Sequence, residues 1–384
     1  MVIEVKRSRD ITRPVERELW ARAAGRCQFD GCNKILYRSS VTNESVHTAQ
    51  KAHIYSFSEK GPRGWGPHEA NPSRLNDVSN LMLTCHECHT KIDTDPNRYS
   101  AEMLIQWKTQ HEERVEIVTG IASNKNSHVV MYGANIGHES SPLVPHDCMA
   151  AIFPHWYPAS PDPIVLSMNS SLRDNSEEYW QAESAHLEKA FDRTIARLTE
   201  GQACKHFSLF ALAPQPLLIK LGTLLTDKLD VETYQLHREP KGWRWDSSQH
   251  DFEFVINEPE NKQGTPVLLL SLSDRVDHKR IHAVLGEQVS IWEITHDDPH
   301  NDFLKSNFQL MLFRQQIRKL MVEIKHHHGN TNPLHVFPVM PISCCIEMGR
   351  ARMPKADMDW IIYDNDPAKR AFIKSLGITG GSHA

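Results

Sequence analysis

Two pairs of cysteines in the first quarter of the chain have the spacing of metal ligands. They are Cys27 and Cys32, with four residues between them, and Cys85 and Cys88, with two residues between them. Each segment is short enough to direct both thiolates at one ion, and four thiolates are a common ligand set of tetrahedral zinc. Because protein fills all four positions, we predict a structural zinc with no place for a substrate. The alternative is four buried thiols with accidental spacing.

Three polar residues lie in register with these cysteines and could act as bases or metal ligands. His53 ends a predicted strand, Asn80 lies five residues before Cys85, and His89 directly follows Cys88. A hydrolytic reaction needs a base that deprotonates water and is accelerated by a cation that stabilises the developing negative charge. A neutral imidazole can be the base, and Mg²⁺ or Mn²⁺ can be the cation. The chain contains 23 histidines, and only their registration with Asn80 and the cysteines distinguishes His53 and His89 from the others.

Capping and periodicity signals predict the elements that position these residues. A first helix is predicted between the N-cap Thr12 and the stop at Gly25, and two short strands within residues 35–57. Further helices are predicted from about Cys85 and after Ser100. We assign residues 1–119 to this module. Residues 120–145 are rich in Ser, Asn and Gly and are predicted to be a linker with at most one short strand.

The segment Asn-Leu-x-x-x-Cys-x-x-Cys-His, with His53 upstream, resembles HNH endonucleases of the ββα-metal type that carry a zinc knuckle. The resemblance implies an α+β module in which His53 is the general base, Asn80 fixes the loop or joins the metal shell, and His89 binds one catalytic Mg²⁺ or Mn²⁺. Many HNH nucleases carry an acidic ligand before the base, where this sequence has Ala52. The candidates to complete the shell are Asn80 with water, His47 and Glu44.

Basic residues of this module are expected to contact the DNA backbone. Residues 1–63 contain 12 basic and 7 acidic residues, whereas residues 121–384 contain 26 and 32. Phosphate contacts position a duplex without reading its sequence. The predicted DNA-binding residues are Lys51, Lys60 and Arg63, with Arg38 and Arg74 as further candidates. Each of them could equally belong to a solvated basic face.

Residues 146–384 alternate apolar runs of strand length with helical patterns, which predicts a largely parallel, Rossmann-like α/β sheet. Predicted strands include residues 164–168, 207–212, 231–236, 267–272, 289–294, 334–339 and 360–363, and predicted helices include residues 175–198, 217–225 and 302–324. Residues 210–222 align without a gap with residues 337–349, and Phe, Pro, Ile and Gly recur in both. Two strand-to-helix turns could match by coincidence, but we favour an internal duplication.

The layout of an HNH module followed by a duplicated Rossmann-like domain resembles the HNH-SAVED effectors of bacterial cyclic-oligonucleotide antiphage signalling (CBASS). The resemblance implies a C-terminal SAVED domain of two fused CARF-like repeats that binds a cyclic di- or trinucleotide, with a cyclic dinucleotide such as a cGAMP isomer favoured. It also implies ligand-promoted homo-oligomers, dimers or tetramers, whose nuclease degrades double-stranded DNA.

SAVED pockets are defined by position, so we place the ligand at the two duplicated turns and at one strand end, where helix amides would face its phosphates. The predicted ligand-binding residues are Pro214, Gln215, Arg238, Ser273, Ile342 and Ser343. Trp243, Trp245 and Trp292 could stack on purines, although aromatic residues are more often core. For the run His326–His328, a solvated helix end is favoured over adventitious metal binding.

Composition excludes several other classes of protein. The 384 residues have a net charge of -5 and contain no run of eighteen apolar residues, so neither a membrane span nor a globally basic nucleic-acid coat is expected. The N-terminus has no apolar segment of a secretion signal, so we expect a cytoplasmic protein. A modification-dependent HNH restriction endonuclease and a non-catalytic, nucleotide-sensing DNA-binding regulator remain alternatives. The acidic, duplicated C-terminal domain argues against the first, and the intact His53, Asn80 and His89 set argues against the second.

Overall fold

The computed structural model describes residues 10–39, 41–136, 143–167, 176–199, 205–246, 252–366 and 371–380. The chain forms two compact units, Met1–Ala122 and Ser123–Ala384. Within these described ranges, no helix has both the length and the apolar character needed to span a membrane.

The first unit is an antiparallel strand pair with helices around it. Its elements are α1 (Arg13–Arg22), β1 (Ala49–His53), β2 (Leu81–Cys85), α2 (His86–Thr94) and α3 (Ala101–Thr119), with short 3₁₀ turns between the strands. β1 pairs with β2 over its whole length, with Ala49 opposite Cys85 and His53 opposite Leu81. α3 begins where the Ser100 hydroxyl accepts a hydrogen bond from the Met103 N–H. The predicted helices are all present, and β1 is the one full strand described within residues 35–57.

Two small apolar clusters hold this unit together. One contains Leu19, Leu36, Leu81 and Leu83 and packs against the cysteines. The other joins Ala52 of β1 and Met82 of β2 to Ile92 of α2 and Leu104 of α3. β2 is buried at every residue, so its two faces contribute to both clusters. The strand pair and α2 are therefore fixed to one another by packing as well as by backbone hydrogen bonds.

The second unit contains two sheets with helices around them. The first sheet is formed by β3 (Asn126–Gly133), β4 (Tyr157–Pro158), β5 (Ile164–Val165), β6 (His206–Leu212) and β7 (Asp230–Thr233), and the second by β8 (Val255–Asn257), β9 (Thr265–Ser271), β10 (Val289–Thr295), β11 (Leu334–Val339), β12 (Trp360–Asp366) and β13 (Ala371–Ile378). The helices are α4 (Pro145–Ala151), α5 (Glu177–Phe191), α6 (Arg197–Thr199), α7 (Gln215–Leu225), α8 (Lys279–Leu285), α9 (Asn307–His328) and α10 (Ile342–Ala351). A π-helical turn, Asp192–Ala196, joins α5 to α6.

Both sheets are parallel at their centres, as the alternation of strands and helices predicted. The order of the first is β4-β3-β6-β7, with β5 also pairing with β3, and all these pairs are parallel. The order of the second is β13-β12-β11-β9-β10-β8, in which β13 and β8 are antiparallel edge strands. The predicted helix over residues 175–198 corresponds to α5, α6 and the turn between them, and its first residue, Asn175, lies outside the described residues.

β3 lies inside the first sheet although its residues fall in the segment predicted to be a linker. It pairs with β4, β5 and β6, and its apolar run Val129–Tyr132 is buried. The division between the two units falls at Ala122 and Ser123. The polar residues that flank β3 suggested a linker, but the four central residues are those of a buried parallel strand.

The internal repeat corresponds to two equivalent strand–turn–helix units, β6 with α7 and β11 with α10. Pro214 and Pro341 stand at the N-caps of the two helices. The helices cross at Gly222 and Gly349, which occupy the same position in the repeat. A Cβ atom on Gly222 would lie 2.1 Å from the carbonyl oxygen of Ile346, so only glycine allows this approach.

Candidate functional site

The four predicted cysteine ligands come together in the first unit. Cys27 and Cys32 lie after α1, Cys85 ends β2 and Cys88 lies on α2. Their sulfur atoms all lie within 4.8 Å of one another. In a tetrahedral zinc site with bonds of about 2.3 Å, the sulfurs are about 3.8 Å apart, so the cluster can hold a metal ion.

The surroundings of the sulfurs also fit a cation. The Cys85 N–H donates a hydrogen bond to Sγ of Cys27 at 3.3 Å, which is a contact that stabilises a thiolate. Burial raises the pKa of the Cys27 thiol to about 12 and raises that of Cys88 as well. Four negative charges can therefore gather here only with a compensating cation.

The strand pair and α2 also form a cleft of about 370 Å³. His53 at the end of β1 and His89 on α2 both line it, as do Lys51 and Asp93. Nε2 of His53 lies 2.9 Å from Oδ1 of Asn76. An amide oxygen only accepts hydrogen bonds, so this contact keeps the proton on Nε2 and makes Nδ1 the basic nitrogen.

Asp93 is a cleft residue that the sequence analysis missed. One carboxylate oxygen lies 3.7 Å from Nε2 of His89, and the other lies 3.3 Å from a guanidinium nitrogen of Arg63. The signal was available, because residues four apart on a helix lie on one face and Asp93 follows His89 by four. This carboxylate places an acidic group in the cleft, whereas the position before His53 is Ala52.

Asn80 is placed away from the cleft and fixes the loop between β1 and β2. It is 2% exposed, and its side-chain oxygen accepts a hydrogen bond from the Tyr55 N–H at 2.8 Å. Its amide nitrogen donates to the carbonyls of Tyr55 at 2.9 Å and Leu75 at 2.8 Å. Of the two predicted roles, the geometry fits loop fixing and does not fit metal binding.

Arg63, which was predicted to bind DNA, is buried and forms hydrogen bonds within the first unit. Its side chain is 5% exposed, and its guanidinium donates to the carbonyls of Ile54 at 2.6 Å and Ile92 at 2.7 Å. These bonds join the residue after His53 to the helix that carries His89. The donors are directed at backbone oxygens inside the unit, so Arg63 does not present them to a phosphate.

The other predicted DNA contacts lie at the surface. Lys51 lines the cleft, and its ammonium lies 2.9 Å from Oε1 of Glu16. Lys60 and Arg38 are exposed, and Arg74 pairs with Asp77 at 2.8 Å. Exposed pairs such as these contribute little to stability, so the cations can rearrange towards a phosphate.

Four of the six predicted ligand-binding residues line one cavity in the second unit. This cavity of about 490 Å³ is bordered by Gln215, Arg238, Ser273 and Ile342. Pro214 and Ser343 lie behind it and are buried. The hydroxyl of Ser343 donates to Oε1 of Gln235 at 2.8 Å. The duplicated turns therefore meet at one place, as the repeat predicted.

A larger cavity of about 950 Å³ adjoins the first and shares Leu236, His237 and Lys241 with it. Trp243 and Trp245 line it, whereas Trp292 is fully buried in the core. His237 is buried, and within the described ranges neither of its ring nitrogens, nor Nε1 of Trp245, has a hydrogen-bond partner. Burial lowers the pKa of His237, so its ring is neutral and can either donate or accept.

The run His326–His328 at the end of α9 is engaged with neighbouring side chains. Nε2 of His327 lies 3.1 Å from Glu323, and His328 accepts a hydrogen bond from the Trp292 indole at 3.1 Å. Among the residues that the structure describes, the cysteine cluster is the one group of three or more potential ligands close enough to hold a metal.

Comparison with known proteins identifies the second unit. Residues 187–378, half of the chain, match the family model of the SMODS-associated and fused to various effectors sensor domain, SAVED. The chain therefore belongs to the SAVED family. No curated protein matches the sequence.

Solved structures give weaker likenesses. The Acinetobacter baumannii Cap4 SAVED/CARF-domain containing receptor, in its structure with the cyclic trinucleotide 2'3'3'-cAAA, has a TM-score of 0.44 and 11% identity over 82% of this chain and 66% of its own. The Moraxella osloensis Cap4 receptor has a TM-score of 0.40 and 8% identity over 80% of this chain and 70% of its own. This chain thus spans just under two thirds of the length of the Acinetobacter receptor. At TM-scores below 0.5, the structural likeness does not show a shared function.

Proposed function

We propose that this chain is a DNA endonuclease gated by a cyclic oligonucleotide, in which the first unit cuts and the SAVED domain senses. The observation that carries the nuclease is the cleft in which His53, His89 and Asp93 meet on a strand pair and a helix. Domains of the SAVED family are sensors that are fused to various effectors. In this chain the first unit is the part fused to the SAVED domain. An antiphage role follows from this pairing of a sensor with a nuclease.

His53 is the general base in this proposal. With its proton on Nε2, held by Asn76, Nδ1 takes a proton from the water that attacks the phosphorus. Arg63 and Asn80 hold the backbone around His53, so the imidazole stays in place while the substrate binds. Lys51, at the edge of the cleft, is placed to hold a neighbouring phosphate.

His89 and Asp93 would hold the catalytic divalent ion. One imidazole and one carboxylate, with water in the remaining positions, suit Mg²⁺ or Mn²⁺. Such an ion would supply positive charge for the phosphate and the leaving oxygen. Arg63 contacts the same carboxylate and thereby orients it.

The four cysteines would hold a structural zinc. Structural zinc contributes about 10 to 16 kcal/mol in small domains, which is as much as the usual stability of a whole domain. Two of its ligands lie at the start of α2, so the ion would also fix the helix that carries His89.

The joined cavities of the second unit would hold the cyclic nucleotide. Arg238 and Lys241 supply positive charge at the smaller cavity, and Trp243 and Trp245 supply flat apolar surface at the larger one. The cations could contact phosphates, and the neighbouring aromatic rings could stack on bases. A cyclic di- or trinucleotide carries both kinds of group. His237 lines both cavities and is buried where they meet.

Plasmid cleavage tests both halves of the proposal. Purified full-length chain is incubated with supercoiled plasmid, Mg²⁺ and each member of a panel of cyclic di- and trinucleotides. We expect degradation with one cognate ligand and little without it. His53→Ala should abolish degradation because it removes the base, and the matched control His86→Ala, an exposed histidine on the same helix as His89, should retain it.

Other outcomes favour the alternatives. Full cleavage without ligand, unchanged by every cyclic nucleotide, indicates a restriction endonuclease. Ligand binding without cleavage at any metal concentration indicates a non-catalytic regulator. Substantial cleavage by His53→Ala refutes the assignment of the base.

A further inference from the structure

A second cavity lies beside the cleft and has no role in the mechanism above. Its volume is about 490 Å³, and its lining residues are Glu16, Trp20, Tyr37, His47, Ala49 and Lys51. Three of these six are aromatic, and the other side chains include one cation and one anion. Lys51 lines the cleft as well, so the two cavities meet at this residue.

The aromatic rings form an open slot. The rings of Trp20 and His47 are perpendicular, with centroids 6.2 Å apart. Tyr37 is 46% exposed, and its ring lies directly against Gly25, where a Cβ atom would be 2.7 Å from it. Because Gly25 has no side chain, the tyrosine ring can pack closely against the backbone there. An exposed ring held in this way is suited to stacking.

The distance between slot and cleft matches the scale of a DNA strand. Ala49 and His53 bound β1, and four residues of a strand span about 13 Å. A base in the slot would therefore belong to a nucleotide only a few positions from the phosphate at His53. Lys51 lies between them and can contact the intervening phosphate.

We propose that this slot binds an unstacked nucleobase of the DNA strand that is cleaved. This inference rests on the proposed nuclease function and adds a second contact to it. Stacking on Trp20, Tyr37 or His47 accepts any base, because every base presents a π-face. The carboxylate of Glu16 can accept a hydrogen bond from an exocyclic amine, which would favour adenine, cytosine and guanine over thymine.

The pair formed by Lys51 and Glu16 is consistent with this role. Both side chains are about one third exposed, and an exposed pair is weak enough to open when a nucleotide arrives. Lys51 then contacts the phosphate and Glu16 the base. In the free protein the pair keeps both charges balanced.

A binding experiment tests the slot without requiring cleavage. Full-length His53→Ala protein with Mg²⁺ is titrated with two fluorescent duplexes that are identical except for one unpaired adenine, with and without the cyclic nucleotide panel. We expect tighter binding of the duplex with the unpaired base. The parent protein is His53→Ala. Tyr37→Ala and His47→Ala, each added to this parent, should reduce that preference about 5-fold or more, the amount expected for one lost stacking partner.

Two further variants separate stacking from folding. Tyr37→Phe keeps the ring and should keep the preference, and Ile117→Ala, an exposed apolar residue on α3, should behave as the parent. Unchanged metal content and melting temperature show that the variants fold. The inference is wrong if the parent shows no preference, if Tyr37→Ala keeps it, or if Tyr37→Phe loses as much as Tyr37→Ala.

The failure of this inference is distinguishable from failure of the nuclease proposal. If the unsubstituted chain never cuts DNA but the preference and its loss in Tyr37→Ala are observed, the nuclease assignment fails and the base slot stands. If the chain cuts plasmid and the preference is absent, only the slot is refuted.

Discussion

A basic residue beside the cleft of the first unit can stabilise the fold instead of contacting a substrate, and Arg63 is such a residue. It adopts a positive φ of 65° in its loop, which turns its side chain inward. Its guanidinium then satisfies backbone carbonyls on both sides of the cleft. Removing it would leave buried acceptors without donors, which costs about 1 to 3 kcal/mol for each unsatisfied group.

We predict opposite signatures for Arg63→Gln and its matched control Lys60→Gln. Arg63→Gln should lower the melting temperature of the first unit and lower cleavage, and leave the salt dependence of DNA binding unchanged. Lys60→Gln should leave the melting temperature unchanged. If Lys60 contacts a phosphate, its loss reduces the slope of log affinity against log salt by about 0.9. Calorimetry and binding across a salt series measure both, and a reduced slope for Arg63→Gln would restore the DNA-contact role.

Spacing was sufficient to find the four cysteines that cluster, and the resemblance to HNH endonucleases was needed to select the two histidines that line the cleft. Residue types and spacing were not sufficient to assign the roles of Arg63 and Asn80. Whether an arginine side chain points outward or inward depends on the backbone angles of its loop. An asparagine that fixes a loop cannot be distinguished by residue type from one that binds metal. Asp93 could have been found from the sequence, because it follows His89 by four residues on the predicted helix.

At the scale of elements, α2 depends on the ion that its first turn helps to bind. Cys88 lies on this nine-residue helix, which is too short to be stable in isolation. The sulfur cluster therefore links the helix to the strand pair. Without a cation, burial raises the pKa values of Cys27 and Cys88, whereas hydrogen bonds from the neighbouring cysteines lower that of Cys85, so the cluster does not carry four thiolates.

We expect Cys88→Ser to lose the metal and unfold the first unit. Elemental analysis should find about one zinc per chain in the unsubstituted protein and in Cys148→Ser, a buried free cysteine of the second unit. Cys88→Ser should lack zinc, and its first unit should be cleaved rapidly by protease. A stable Cys88→Ser protein, or unsubstituted protein without zinc, would contradict the zinc assignment.

The contact between the two repeats gives a prediction for the second unit. Gly222→Ala places a methyl group on the backbone of α10 and should destabilise the unit by about 1 to 3 kcal/mol, because neither helix can move without disturbing its sheet. Gly377→Ala is the matched control, since nothing lies within 4 Å of a Cβ atom there. Urea unfolding measures both. Equal stability of the two variants would show that the helices can separate at no cost.

The centre of the second unit was more predictable than its boundaries. Buried parallel strands are long apolar runs, so β6, β9, β10 and β11 were found directly from the sequence. β13 is an antiparallel edge strand whose residues alternate in burial, and β3 is flanked by polar residues. β3 depends on pairing with the distant strand β6, which no local pattern records, whereas β13 pairs with its neighbour in sequence, β12.

At the scale of the whole molecule, gating sets an energetic requirement on the ligand. A change from about 1% to 99% active needs roughly 5.5 kcal/mol of differential affinity between the resting and active states. Coupling ligand binding to association of subunits is one way to supply it. Under the proposed function, two first units that are brought together could also cut both strands of a duplex, whereas one site would cut one strand at a time.

We therefore predict that the cognate cyclic nucleotide raises the mass measured by light scattering in parallel with the rate of plasmid degradation. Arg238→Ala should shift both to higher ligand concentration without changing the zinc content, because it removes a cation from the ligand cavity. Lys228→Ala, an exposed cation of the same unit that does not line either cavity, is the control. If activation occurs at constant mass, the required energy must arise within one subunit, and association is not the coupled step. If Arg238→Ala responds like Lys228→Ala, the ligand does not use the cavity between the duplicated turns.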